Sequence, residues 1–262
     1  MRIPMFQVDA FAGRLFSGNP AAICSLENWL PAETMQAIAA ENNLAETAFF
    51  APEGTGYRLR WFTPTIEMDL CGHATLASAY VVMNCLDGAD VRSVAFETAS
   101  GTLTVTREGD LYSLDFPSRP PERCEVHPRL IDALGTAPLE ILAARDYMVV
   151  YRTEDEVRSL QPNLELLASM DRFAVIVTAP GKDYDFVSRF FAPAHGVPED
   201  PVTGSAHCTL IPYWSRRLGK TELRAFQASP RGGEVFCELR GDRVKIAGKG
   251  VLYLQGFIDV PA

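Results

Sequence analysis

Cys71-Gly-His-Ala-Thr-Leu-Ala-Ser-Ala-Tyr-Val-Val-Met83, CGHATLASAYVVM, decides how this chain folds. From His73 to Met83 the residues are apolar or small on nearly every face, and a helix of that kind must be buried all round. The stretch therefore predicts a central helix over roughly 73–83, covered by short strands wrapped about it.

A second region follows the same plan. Gly72 and Gly204, Gly101 and Gly233, and the Gly109-Asp110 and Gly241-Asp242 pairs all stand 132 residues apart (204 − 72 = 132). Each Gly-Asp pair separates two alternating runs, with Leu103, Val105, Tyr112 and Leu114 in the first region and Val235, Cys237, Val244 and Ile246 in the second. Both read as hairpins with glycine-containing turns. Upstream, Arg60-Trp-Phe-Thr-Pro64 matches Arg189-Phe-Phe-Ala-Pro193 at a spacing of 129 (189 − 60 = 129), which places about three extra residues within HGVPED. The expected fold class is α+β: two pseudo-symmetric halves, each with antiparallel strands wrapped around a central buried helix. The halves are expected at residues 1–118 and 128–262, with 119–127 connecting them inside PSRPPERCEVHP and the chain's end free to cross back.

A chain of 262 residues with 47% hydrophobic content builds a substantial core in one large domain or two ordinary ones. A net charge of -9 without a lysine- or arginine-rich cluster excludes binding through a nucleic-acid phosphate backbone. MRIPMFQVDAFAG has one basic residue and no apolar stretch of signal-peptide length, and the longest apolar run, around LASAYVVMNCL, is too short to span a bilayer. The expectation is a soluble cytoplasmic protein with no membrane partner. Six cysteines, without a CxxC pair, read mostly as buried thiols.

The chemistry concentrates at the two helix starts. Gly72 and Gly204 let backbone approach a ligand closely, and the first helical turn presents unpaired N–H groups and partial positive charge, a seat for a carboxylate. If the halves face each other about a pseudo-twofold axis, both starts converge on one cleft and grip a small anionic substrate from two sides. The plainer alternative makes Gly72 and Gly204 simple turns and Ser205 an ordinary first-turn residue. In EDPVTGSAHC, Glu199 to Cys208, Ser205 lacks the GxSxG setting of a nucleophile, and His207 two residues on does not face it along a helix. His207 and Cys208 have no companion pair at metal-ligand spacing, so both read as packed helix positions and no metal is expected.

Cys71, at a helix N-terminus, is placed for a lowered thiol pKa. A two-base racemase needs a proton-handling group on each face of the substrate carbon, and the counterpart of Cys71 is Thr203, which cannot serve. Carboxylates are the better proton carriers: Asp200 and Glu199 precede the second helix start, and Glu46 stands among Leu44, Ala45, Ala48 and Phe49, company that raises a carboxyl pKa toward neutrality. Glu46 also fits a solvated strand edge, and His73 fits either a satisfied core histidine or a donor to substrate. The acids of Thr153-Glu154-Asp155-Glu156 read as a solvated helix start with Thr153 as its cap, without function.

Five blocks in order, FQVDAFAGRLFSGNPAAI, NNLAETAFF, RWFTPTIEMDLCGHATLASAYV, EDPVTGSAHCTLIPYW and ASPRGGEV, make the chain resemble, nearly end to end, the PhzF-like family of phenazine biosynthesis, relatives of diaminopimelate epimerase. The resemblance implies the epimerase-like fold of two halves with the site between them. It also implies an isomerase that moves a proton on a carboxylate-bearing substrate without metal or organic cofactor, commonly as a homodimer. The family's glutamate matches Glu46, its histidine His73, and its aspartate and serine Asp200 and Ser205. Backbone amides at Gly72, His73, Gly204 and Ser205 would hold the substrate carboxylate. The epimerase relatives use two cysteines; Thr203 in place of one disfavours diaminopimelate epimerization. A two-base epimerase using Cys71 and a non-catalytic binder of the same fold are the alternatives to the isomerase.

Overall fold

Alternating and continuous apolar runs bounded by glycine turns form strands throughout a computed structural model that describes residues 1–86, 88 and 90–260. The strands sort into two units, Met1–Asp115 with the chain from Ala247 onward, and Phe116–Ile246.

In the first unit β1 (Arg2–Ala10) pairs antiparallel with β2 (Asn19–Ser25), ending with Ala10 opposite Asn19. The turn between them needs glycine at Gly18: φ is +67°, and a Cβ there would lie 2.2 Å from the Ala10 carbonyl oxygen. Helix α1 (Ala32–Asn42), closed by Asn43 in the left-handed region, carries the chain to β3 (Glu46–Glu53), which lies parallel to β2. β4 (Gly56–Phe62) returns antiparallel to β3, and the short β5 (Glu67–Met68) leads to α2 (Gly72–Val81). That helix, continued by one π-helical stretch over Val82–Leu86, crosses to β6 (Ser93–Thr98), parallel to β4. β7 (Gly101–Glu108) and β8 (Leu111–Pro117) follow antiparallel, turning through Gly109-Asp110 as expected.

Helix α2 is the predicted central helix. Every residue from His73 to Ala79 is buried, as is Val81, and it packs against β1, β2 and β3.

The second unit begins with α3 (Leu130–Leu134), then β9 (Glu140–Ala143) antiparallel to β10 (Tyr147–Val150). Helices α4 (Glu154–Ser159) and α5 (Leu164–Leu167) bridge to β11 (Val175–Pro180), parallel to β10, and β12 (Phe186–Ala192) returns antiparallel. The short β13 (Val197–Asp200) leads to α6 (Gly204–Leu218), which crosses to β14 (Glu222–Gln227), parallel to β12. β15 (Gly233–Arg240) pairs antiparallel with β14, and β16 (Arg243–Gly248) follows the Gly241-Asp242 turn. Val149, Val175, Val177, Val187 and Phe191 lie in one buried cluster here, each contributing about 1.5–3 kcal/mol on leaving water. The last strand, β17 (Gly250–Asp259), runs antiparallel to β1 from Asp259 opposite Arg2 to Gly250 opposite Ala10, so the chain's end lies in the first unit.

One expectation is corrected. The strands are not uniformly antiparallel: β2 with β3, β4 with β6, β10 with β11 and β12 with β14 are parallel. The physical reason is the connections. A parallel pair needs a long crossover, and each of these four pairs has a helical segment between its strands. The architecture is a mixed α/β fold, rich in sheet with few helices. Thr153 caps α4 in a reciprocal capping box with Glu156, as expected, but Glu154 is buried rather than solvated, accepting from Arg158 Nε at 2.6 Å and Lys182 N at 2.7 Å. All six cysteines are free, and Cys24, Cys71, Cys208 and Cys237 are buried. Among the described residues no helix is long and apolar enough to cross a membrane.

Candidate active site

In the first unit, three local structures bring Glu46, Cys71 and His73 together. Glu46 opens β3, opposite Ala21 of β2, where the parallel pairing begins. Cys71 is the extended residue just before α2, and His73 lies in that helix's first turn. Thr75 Oγ1 donates to the Cys71 carbonyl at 2.5 Å and fixes the entry into the helix.

The His73 ring spans the cluster. Its Nε2 lies 3.0 Å from Glu46 Oε2, and its Nδ1 lies 3.6 Å from Cys71 Sγ and 3.3 Å from Asn19 Nδ2. The side chains of His73 and Glu46 are 6% and 15% exposed, so the pair sits where charge is weakly screened. Although close, Nε2 and Oε2 are off the line a hydrogen bond requires, and both are buried without a hydrogen-bond partner.

Burial opposes charge on His73, but the Cys71 sulfur and the Glu46 carboxylate outweigh it and hold the imidazole pKa well above its ordinary value. Burial, aided by the Glu46 charge, pushes the Cys71 thiol up, against the opposing pull of His73. This corrects the lowered pKa expected from the helix N-terminus: desolvation of a fully buried thiolate exceeds what the helix start returns. Near neutral pH Cys71 is therefore a neutral thiol, so its share of the His73 shift is absent there and Glu46 is the charged neighbour that favours the protonated ring.

The second unit builds its helix start differently. Asp200 ends β13, and Thr203 Oγ1 donates to Asp200 Oδ2 at 2.5 Å. Gln227, fully buried at the end of β14, ties the turn together: its Oε1 accepts from Thr203 N at 2.8 Å, while its Nε2 donates to the Asp200 carbonyl at 2.8 Å and to Thr203 Oγ1 at 3.1 Å. Gly204 and Ser205 form the first turn of α6. Arg145 Nη2 donates to Ser205 Oγ at 3.4 Å, and its guanidinium is held bidentate by Asp146 at 2.9 and 3.0 Å.

His207 and Cys208 are packed helix positions, as expected. His207 Nδ1 donates to the Thr203 carbonyl at 2.8 Å, and burial drives its pKa down to about 4. Cys208 is driven up to about 11 by burial. Its carbonyl has lost its usual helical partner to Pro212, four residues on, and accepts instead from Arg119 N at 2.8 Å. Glu199 is held bidentate by the buried Arg189 at 2.7 and 2.9 Å, a structural ion pair.

Glu46, Gly72 and His73 thus belong to one unit, and Asp200, Gly204 and Ser205 to the other. Three further residues escaped sequence reasoning. Asn19 is signalled by the Gly18-Asn19-Pro20 turn, whereas Arg145 and Gln227 sit in stretches without a motif.

The sequence pattern of the family described as phenazine biosynthesis-like protein, PhzC-PhzF, matches residues 8–256. A Pseudomonas aeruginosa protein named "uncharacterized isomerase" is 52% identical over 260 residues, covering 99% of this chain and 100% of that protein. The crystal structure of an Enterococcus faecalis PhzF-family phenazine biosynthesis protein superposes with a TM-score of 0.96 at 48% identity, covering 99% of this chain and 100% of that one. The fold alone extends further, to a hydroxyproline epimerase from Agrobacterium vitis at a TM-score of 0.59 and 11% identity, over 98% of this chain and 92% of that one.

Proposed function

Because this chain belongs to the phenazine biosynthesis-like PhzC-PhzF family, we propose that it is a cofactor-independent isomerase moving a proton within a small carboxylate-bearing substrate. The observation that carries the reading is the buried Glu46–His73 pair at 3.0 Å. A buried carboxylate held against the imidazole ring is placed to take a proton, and its protonated form is positioned to give one back. The Glu46 carboxylate removes a proton from an activated substrate carbon. The electron pair shifts into the conjugated system, and protonated Glu46 returns the proton at a different carbon. Throughout, His73 stabilises the carboxylate and supplies charge compensation.

Each helix start offers backbone amides to a carboxylate, at Gly72 and His73 in the first unit and at Gly204 and Ser205 in the second. In the second unit Asp200, anchored by Thr203, is the candidate proton-handling group, and Arg145 beside Ser205 favours an anion. The neutral Cys71 thiol is not the base in this reading.

The test is a screen of small carboxylic acids in heavy water, read by mass spectrometry for deuterium gain or isomer formation. Glu46→Gln is expected to abolish exchange while leaving binding nearly intact. Exchange retained in that variant refutes the assignment.

A further inference from the structure

The Glu46, Cys71 and His73 cluster offers one carboxylate oxygen, one sulfur and one imidazole nitrogen, all within 4.8 Å of one another. This is a donor set of four-coordinate zinc, whose bonds are about 2.3 Å to sulfur and about 2.0 Å to nitrogen and oxygen. Cys71 Sγ and His73 Nδ1 already stand 3.6 Å apart, a span that two such bonds close at a near-tetrahedral angle. The carboxylate reaches the same ion by a side-chain shift on the order of 1 Å, since tetrahedral ligands at these bond lengths sit about 3.5 Å apart.

Glu46 Oε2 already faces His73 Nε2 at 3.0 Å, so an ion bound between Cys71 Sγ and His73 Nδ1 draws the carboxylate away from that pairing. A carboxylate and a thiolate around a divalent cation also leave the buried site neutral.

We propose that Glu46, Cys71 and His73 capture a thiophilic divalent cation of the zinc class, with a fourth position open to water, and that capture silences the isomerase. The ion is an inhibitor here, not a cofactor. Binding forms bonds from the metal to sulfur, nitrogen and oxygen and releases to solvent the thiol proton and any proton held on the ligating ring nitrogen. Silencing rests on the role given to Glu46 above, because the metal takes up the carboxylate lone pair that the proton needs.

Cobalt(II), added to the full chain under a non-coordinating reductant, is the probe. The expected result is a thiolate-to-cobalt charge-transfer band with the intense visible bands of a tetrahedral site, saturating at one equivalent per chain. Cys71→Ser should lose the band. The Cys85→Ser/Cys124→Ser double variant, which removes the two partly exposed thiols, should keep it. Absence of the band in the unaltered protein, or its survival in Cys71→Ser, overturns the site. Should Cys71→Ser fail to fold, X-ray absorption on the zinc-loaded Cys85→Ser/Cys124→Ser variant decides: one sulfur neighbour at about 2.3 Å supports the site, and none refutes it.

With a responsive substrate, one equivalent of zinc should stop deuterium exchange and a chelator should restore it. Exchange that continues in the loaded protein refutes the silencing. A Cys71-dependent cobalt band together with exchange that survives Glu46→Gln would leave the metal site standing and overturn only the isomerase assignment.

Discussion

His207 makes the protein acid-labile by a calculable amount. Its imidazole is fully buried in α6, and its pKa falls from the ordinary 6.5 to about 4. In the unfolded chain it titrates normally. Above about pH 6.5 both states are neutral and the histidine has no effect on the pH dependence. Below that value the unfolded chain binds a proton that the folded protein refuses, so stability falls with falling pH until the folded pKa is reached. At about 1.4 kcal/mol per pH unit, the loss between pH 7 and pH 4.5 is about 2.5 kcal/mol.

The perturbation is His207→Asn, which keeps an N–H near the Nδ1 position for the Thr203 carbonyl and removes the titration. Urea unfolding at both pH values gives four free energies. Other titrating groups cancel in the double difference between protein and variant. The variant is expected to be less stable at pH 7, by about 1–3 kcal/mol for the cavity it leaves, yet to lose about 2.5 kcal/mol less on acidification. Equal losses in the two proteins would refute the argument that burial holds His207 neutral.

Further outcomes follow from the same geometry. Gln227→Leu strips the Asp200–Thr203 turn of its bonds and should destabilise the protein by about 2–4 kcal/mol in urea unfolding, while lowering deuterium exchange; a change under about 0.5 kcal/mol would show the turn holds itself. Glu46→Gln removes a charge that raises the His73 pKa, so NMR titration of that imidazole should show a clear downward shift, and an unmoved value refutes the pairing. The homodimer implied by family resemblance predicts a sedimentation mass twice the 28.8 kDa of the chain, and a single-chain mass at micromolar concentration refutes it.

Much of the candidate site was legible in the sequence because its parts are local. CGHAT places Cys71, Gly72 and His73 at one helix start through neighbouring backbone, and EDPVTGSA does the same for Asp200, Gly204 and Ser205. Helix α2 could be read as buried from composition alone, since HATLASAYVVM has no polar face to give to water. The Gly109-Asp110 turn was legible for the same reason: glycine accepts a positive φ at no steric cost.

What folding over distance arranges was not legible. The parallel pairs depend on which strands meet after a helical crossover, and neither strand carries a mark of its partner's direction. Asn19 approaches His73 only because Gly18 and the β1–β2 register deliver it there, and Gln227 reaches Thr203 only because β14 ends beside the start of α6. The Cys71 pKa turned on the same distinction. Its place before a helix, set by sequence, favours the thiolate; its complete burial and the Glu46 charge beside it, set by tertiary packing, disfavour the thiolate more strongly. By itself the sequence determined which residues stand at the helix starts, whereas only the tertiary structure decided their neighbours, their solvation and hence their charge.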